Sequence, residues 1–320
     1  MGQLVDGRWK VGWYQPDPRG AFVRPSSQFR SGIVPEGTEA DFVAEPGRYH
    51  LYASYACPWA QRVLITRSLR GLEEAIGVTI VDPKVGDDGW AFGGGGERDP
   101  LFGASFLREI YVRANPRYTG RVTVPVLWDK KNQTIVNNAS RDLMRMLNTS
   151  FDRFAKNPTT LAPAHLRSKI DETLDAIYES YNNGVYRAGF ATSQEAYEEA
   201  CRDVFATLER CEEILSKQRF LCGDVLTEAD VAMFTTSLRF DLVYYSHFKC
   251  NIRRLQDYPN VWGFVRDVYQ MPEVKKVCDL DHIKVHYYWS QTTVNPSRIV
   301  PLGPTLDLEA PHDRATRFAA

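Results

Sequence analysis

The sequence predicts two unlike halves, an α/β unit followed by an all-α one. Between residues 46 and 150, alternating apolar strands and a helix come in strand–helix–strand, hairpin, helix order. From 164 to 294 the apolar residues recur at three- and four-residue spacing instead. A length of 320 residues, with 43% hydrophobic and 25% charged, gives enough apolar surface to close both cores.

Charge excludes some functions. With 39 basic and 40 acidic residues the formal net charge is −1, which argues against nucleic-acid and anionic-membrane partners. No stretch approaches the roughly 18 apolar residues of a membrane span, and the start MGQLVDGRWK lacks the apolar core of a signal peptide. Met1-Gly2 is not a myristoylation start, because Asp6 stands where Ser or Thr is needed. A cytoplasmic protein is the expectation.

Residues 1–45 are rich in Gly, Pro and aromatics without periodicity, and read as an arm with few regular elements. Tyr49 to Tyr55 alternates and is aromatic, a strand. Cys57-Pro58 follows, and then Ala60, Val63, Leu64, Ile65 and Leu69 at helical spacing, with Gly71 as the stop. Val78 to Val81 is a second strand, 82–120 a polar insertion, and Val122 to Trp128 and Thr134 to Val136 a hairpin around Asp129-Lys130-Lys131-Asn132. A short helix from Ser140 to Asn148 completes what is the element order of a thioredoxin-like domain over 46–150.

A linker at 151–163 leads to the helical half, 164–294. Leu166, Ile170, Leu174, Ile177 and Tyr181 form one stripe; Tyr197, Cys201, Val204, Phe205, Leu208 and Leu215 form another. Thr227-Glu228-Ala229-Asp230 is a capping box, with Leu226 and Val231 placed as its hydrophobic staple. Another helix starts after Pro259, and 295–320 is a Pro-containing tail.

The six cysteines, at 57, 201, 211, 222, 250 and 278, include no C-x-x-C pair, so zinc ribbons and dithiol redox centres are not expected. Cys201, Cys211 and Cys250 sit in apolar or helical surroundings suited to inert, buried thiols. Cys57 is placed at a helix start, where unpaired amides and the helix dipole favour the nucleophilic thiolate. Ala60 stands where a dithiol centre has its resolving cysteine, so a mixed disulfide at Cys57 needs a second thiol molecule to release it. Val124-Pro125 suits an edge-strand start or a cis bond beside such a cysteine. Gly93 to Gly96 reads as a flexible loop, since no Lys-Ser/Thr follows it. Asp87-Asp88 and the histidines lack metal-ligand spacing, so no metal is expected.

Five segments together resemble the Xi-class glutathione transferases, the glutathionyl-hydroquinone reductases: YHLYASYACPWAQR from Tyr49, GRVTVPVLWDK from Gly120, YNNGVYRAGFA from Tyr181, RFDLVYYSHFKCNIRRL from Arg239, and His286-Tyr287-Tyr288. The resemblance runs from about Phe22 to Pro304. It implies a thioredoxin-like domain followed by an all-helical domain of glutathione-transferase type, paired as a homodimer. It implies glutathione as co-substrate and glutathionylated quinols as substrates, with Cys57 taking the glutathionyl group. By the same resemblance Trp90, Arg121, Val124 and Ser140 contact the thiol, while Tyr186, Tyr244 and Tyr287 line the acceptor pocket. Phenols are suitable proton donors to a departing ring.

The chain departs from the family pattern at three places. Asn138-Ala139-Ser140 stands for the usual Asn-Glu-Ser, removing a carboxylate that would pair with the γ-glutamyl ammonium; another low-molecular-weight thiol is then an alternative co-substrate. Gln61 and Gln291 replace two histidines. A general monothiol thioltransferase or dehydroascorbate reductase would need only Cys57, and a non-catalytic binding protein of the same fold would explain Ala139.

Overall fold

Strand and helix order in the first half follows from where the chain can and cannot donate main-chain hydrogen bonds. The computed structural model describes residues 1–319; Ala320, the end of the expected tail, lies outside the described residues. The chain divides into two compact units, Met1–Trp13 with Pro25–Thr160 and Val277–Ser290, and Tyr14–Arg24 with Leu161–Lys276 and residues 291–319.

The first unit opens with a hairpin of β1 (Gly2–Val5) and β2 (Arg8–Val11). Its two-residue turn, Asp6-Gly7, has φ of 49° and 73°, the left-handed pair that matches the twist of the flanking strands. A Cβ at Gly7 would meet the Pro116 carbonyl oxygen at 1.9 Å. The hairpin is among the few regular elements of the arm, and Asp-Gly between Leu4-Val5 and Trp9 is a strong signal for it.

The main sheet contains β3 (Tyr49–Ala53), β4 (Ile76–Ile80), β6 (Val126–Asp129) and β7 (Thr134–Asn137), in the order β4-β3-β6-β7. Helix α1 (Pro58–Leu69) links β3 to its parallel neighbour β4, and β6 runs antiparallel to β3. This is the thioredoxin-like arrangement. All five β3 residues are buried, as a central strand covered on both faces requires.

The strand expected from Val122 begins only at Val126, since Pro125 has no N–H to give to a ladder. Just before it, β5 (Gly120–Arg121) pairs with β1 in a separate sheet, β2-β1-β5. The insertion at 82–120 also holds a helix, α2 (Leu107–Ala114). Glu109 Oε1 accepts the Phe106 and Ser105 amides at 2.8 and 3.1 Å, and Leu107, Ile110 and Tyr111 form the buried face. Helix α3 (Ser140–Thr149) follows the hairpin.

Arg48 and Asp129 form a buried bidentate ion pair, Nε to Oδ1 at 2.9 Å and Nη2 to Oδ2 at 2.6 Å. Their side chains are 4% and 0% exposed. Arg48 also donates to Glu45 Oε1 and to the Asp41 carbonyl, so its charge is compensated on every side.

The second unit is helical: α4 (Arg167–Ile177), α5 (Gly184–Gly189), α6 (Gln194–Lys217), α7 (Glu228–Ser237), α8 (Pro259–Tyr269) and α9 (Pro272–Lys275). Pro259 and Pro272 each occupy a first helical turn, where their missing N–H costs nothing. Two wide turns with i→i+5 hydrogen bonds interrupt the helices, Tyr178–Asn182 and Phe240–Tyr244. Helix α10 (Leu280–Ser290), read from the sequence as part of the helical half, groups instead with the first unit, because its bonds are to Pro83 and Val85. In the tail, α11 (Arg314–Arg317) is held by Arg314, 2% exposed, which donates to the carbonyls of Leu215, Asn260, Gln218 and Arg219.

The capping box forms as its spacing implies. Asp230 Oδ2 accepts from the Thr227 amide at 2.8 Å and from its hydroxyl at 2.7 Å, and Oδ1 accepts the Leu221 amide at 2.7 Å. Burial outweighs these bonds and pushes the carboxyl up to about 6. Asp230→Ala should cost about 2 kcal/mol, by leaving buried donors unpaired. Because the folded value lies above the unfolded one, the native carboxyl's titration favours folding below about 4, and this is lost as pH rises through about 6. Urea melts of both proteins across that window check it: the wild-type advantage should narrow as pH rises.

Candidate active site

Cys57 ends the extended segment after β3 and caps α1, with φ −82° and ψ 119° and Pro58 in the first helical turn. Its carbonyl accepts the Gln61 amide at 2.9 Å, so the helix starts on this residue. No acidic residue occupies the first turn to oppose a thiolate at the positive helix end. The sulfur is half-buried and lies 3.7 Å from the Val124 carbonyl oxygen. The Val124-Pro125 bond is cis. Ala60, one turn in, is fully buried.

Trp90 stacks face to face on His286, with ring centroids 4.8 Å apart and an interplanar angle of 13°. Tyr287, 1% exposed, follows on α10, its ring edge-on to His286 at 5.2 Å. Arg121 is engaged by the arm: Nη1 donates to the carbonyls of Gly2 and Gly12 at 3.2 and 2.9 Å, and Nη2 to that of Trp13 at 2.6 Å. Ser140 opens α3 and is 9% exposed. Before it, Ala139 is the N-cap residue with no side-chain acceptor, and its own amide donates to Asn137 Oδ1 at 2.7 Å.

In the second unit Tyr186 and Tyr244 come together, with ring centroids 5.9 Å apart. Tyr186 follows one wide turn and Tyr244 ends the other, the kind of helix irregularity that often marks functional positions. Phe248 stacks on Tyr244 at 5.4 Å and lies 5.5 Å from Tyr186. A Cβ on Gly189 would sit 2.2 Å from that Phe248 ring, so glycine is required there. The Arg24 guanidinium lies 4.6 Å over the Tyr186 ring and donates through Nε to Asn183 Oδ1 at 2.7 Å. Phe22 and Tyr14, from the same arm segment, complete the cluster against Phe190.

In the sequence Phe248 and Arg24 carry no assigned role, and His286 enters there only within the segment His286-Tyr287-Tyr288. Phe248 had a signal, standing one helical turn beyond Tyr244; Arg24 had none. Both glutamines turn out to be structural ties. Gln61, fully buried, donates to the Val277 carbonyl at 3.0 Å and to Cys278 Sγ at 3.3 Å. Gln291 Oε1 accepts from His247 Nε2 at 3.0 Å, and burial holds His247 down to about 4, hence neutral. Among the described residues no cluster of three or more His, Cys, Asp or Glu could hold a metal, and no helix is long and apolar enough to cross a membrane.

Residues 56–150 match the glutathione S-transferase N-terminal domain and 194–267 the C-terminal domain. The glutathionyl-hydroquinone reductase YqjG of Escherichia coli is 49% identical, over 99% of this chain and all of its own. The chain belongs to the Xi-class glutathione transferases. The glutathionyl-hydroquinone reductase PcpF of Sphingobium chlorophenolicum is also 49% identical, covering 96% of this chain and 98% of its own. A Xi-class structure from Natrialba magadii superposes with a TM-score of 0.92 at 48% identity, over 99% and 97% of the two chains. YqjG has been solved with glutathione bound, at a TM-score of 0.91. This is an enzyme family whose co-substrate is glutathione, with an N-terminal domain of thioredoxin-like fold and a C-terminal domain.

Proposed function

We propose that this Xi-class enzyme removes the glutathionyl group from glutathionyl-hydroquinones through a mixed disulfide at Cys57. The observation that carries the proposal is a lone sulfur on the α1 N-terminus, 3.7 Å from the Val124 carbonyl, with Ala60 in place of a second thiol. In the first step the Cys57 thiolate attacks the thioether sulfur. The carbon–sulfur electron pair leaves with the ring and takes up a proton, giving the hydroquinone and a Cys57–glutathione disulfide. A second glutathione, as thiolate, attacks that disulfide; Cys57 leaves reduced and oxidised glutathione is released. One substrate and one glutathione thus give one hydroquinone and one disulfide, and no other reductant is needed.

In this reading Trp90, Arg121, Val124 and Ser140 hold the tripeptide. The phenols of Tyr186, Tyr244 and Tyr287 supply the proton to the ring. A homodimer acting in the cytoplasm on small molecules, without nucleic-acid or membrane partners, belongs to the same proposal.

Cys57→Ser should abolish reduction and leave thermal stability near wild type, since Ser is itself a good helix cap. Turnover close to wild type in that variant places the nucleophile elsewhere. Fast alkylation of Cys57 by iodoacetamide at mildly acidic pH is the companion measurement.

Tyr186→Phe, Tyr244→Phe and Tyr287→Phe should each slow quinol turnover by roughly 10²-fold or more, the usual worth of a general acid. Exchange with a simple mixed disulfide, which protonates no ring carbon, should change far less. Equal losses in both assays would mean that the rings act through packing.

Ala139→Glu restores a carboxylate beside Ser140. It should tighten glutathione binding by about 1.5–3 kcal/mol, the worth of a hydrogen bond to a charged group. Calorimetric affinities for glutathione that do not move would show that position 139 does not face the ligand, and Ser140 would then lose its assigned role.

A further inference from the structure

The segment from Pro83 to Trp90 has almost no regular structure of its own, only a single bridge between Gly86 and Gly89. It is held from outside by several neighbours: Trp9 Nε1 donates to the Asp87 carbonyl at 2.8 Å, Arg108 Nη1 to Asp88 Oδ1 at 2.9 Å and the Leu107 amide to the Trp90 carbonyl at 2.9 Å, while α10 holds the Pro83 end. His286, 6% exposed, places Nδ1 2.9 Å from the Pro83 carbonyl oxygen. A carbonyl only accepts, so the proton sits on Nδ1 and the ring orientation is determined. One turn further along α10, Ser290 Oγ donates to the same carbonyl at 3.3 Å and accepts the Val85 amide at 2.9 Å. The Lys84 ammonium lies 5.7 Å over the Trp289 ring. With those points fixed, the His286 ring lies flat against the Trp90 indole at 4.8 Å.

The geometry points to His286 as a positioning residue for the thiol site: it holds the Trp90 indole, by stacking, in the orientation that contacts glutathione. The inference rests on the reading of Trp90 as a glutathione contact. The alternatives for a side chain at this place are a ring that merely fills space and a donor that merely anchors Pro83. They differ in which part of the imidazole matters. Stacking needs the ring and no proton, whereas anchoring Pro83 needs the proton and no ring. Only stacking reaches Trp90 directly.

Three substitutions in the full-length protein separate these. His286→Phe keeps a ring and loses the donor; His286→Asn keeps a donor and loses the ring; His286→Ala loses both. Glutathione dissociation constants by calorimetry, KM and kcat for the quinol reaction, and melting temperatures are measured for each, alongside Trp90→Ala and the double variant Trp90→Ala/His286→Ala. The Ala and Asn variants should bind glutathione roughly three- to tenfold more weakly, as loss of an aromatic pair predicts. The Phe variant should bind close to wild type. KM for glutathione should rise by more than kcat falls, and the double variant should bind no more weakly than Trp90→Ala alone.

Wild-type affinity in His286→Asn, with Trp90→Ala weakened, overturns the inference and leaves the Trp90 reading standing. Full additivity in the double variant also overturns it, since His286 would then act by another route. Unchanged affinity in Trp90→Ala removes the glutathione-contact reading and the inference with it. If His286→Ala does not fold, the Phe and Asn variants decide the question between them.

Discussion

The Arg48–Asp129 pair sets the register on which the first unit depends. Arg48 stands immediately before β3 and Asp129 ends β6, and the two strands run antiparallel with Tyr49 opposite Asp129 and Tyr52 opposite Val126. Locking one end of this ladder determines what arrives at the other. Cys57 leaves the far end of β3, and the Val124 carbonyl precedes the start of β6, so one register brings the two within 3.7 Å. A slip of one residue would turn every side chain of β3 to the opposite face. A buried ion pair is a costly way to prevent that, and breaking it from one side typically costs 3–5 kcal/mol. Here the remaining capacity of both groups is also used, by Glu45, the Asp41 carbonyl and the Lys131 amide.

Segments distant in sequence complete both units by the same kind of contact, a polar side chain satisfied by main-chain groups. Arg121 gathers three carbonyls of the arm, Arg314 four carbonyls around the end of α6 and the start of α8, and Gln61 ties α1 to the segment leading into α10. Each replaces several waters with fixed donors, which holds an irregular segment without asking it to form a core. The arm is thereby divided. Residues 1–13 build the small sheet of the first unit, while 14–24 bring Tyr14, Phe22 and Arg24 to the Tyr186–Phe190–Phe248 cluster of the second.

Local signals were legible in the sequence and tertiary ones were not. Cys57-Pro58 announces a helix start because Pro tolerates that position and few others, and Thr227 to Asp230 announces another because the spacing permits reciprocal bonds. Both are seen. The Asp6-Gly7 hairpin and α2 were equally local, yet were obscured by flanking Gly, Pro and charge that read as loop. Nothing local marks His286 as a partner of Trp90, nor Arg24 as a partner of Tyr186, since each pairing joins segments more than a hundred residues apart. Gln61 and Gln291 stood out in the sequence, but what each glutamine holds did not.

Burial, finally, decides which thiols are available for chemistry. The Cys211 thiol is pushed up to about 12 and that of Cys250 well above the usual range, both by burial, and burial also raises Cys201 and Cys222. A thiol moved upward in this way carries a vanishing thiolate fraction at neutral pH, and its sulfur is also closed to a bulky electrophile. Cys57 and Cys278 are the half-exposed pair, and they differ in setting. Cys278 receives the Gln61 amide in a loop before α10, whereas Cys57 stands on the positive end of α1. The dipole of α1 therefore acts on Cys57. With Ala60 in the next turn, α1 itself carries no second thiol beside Cys57.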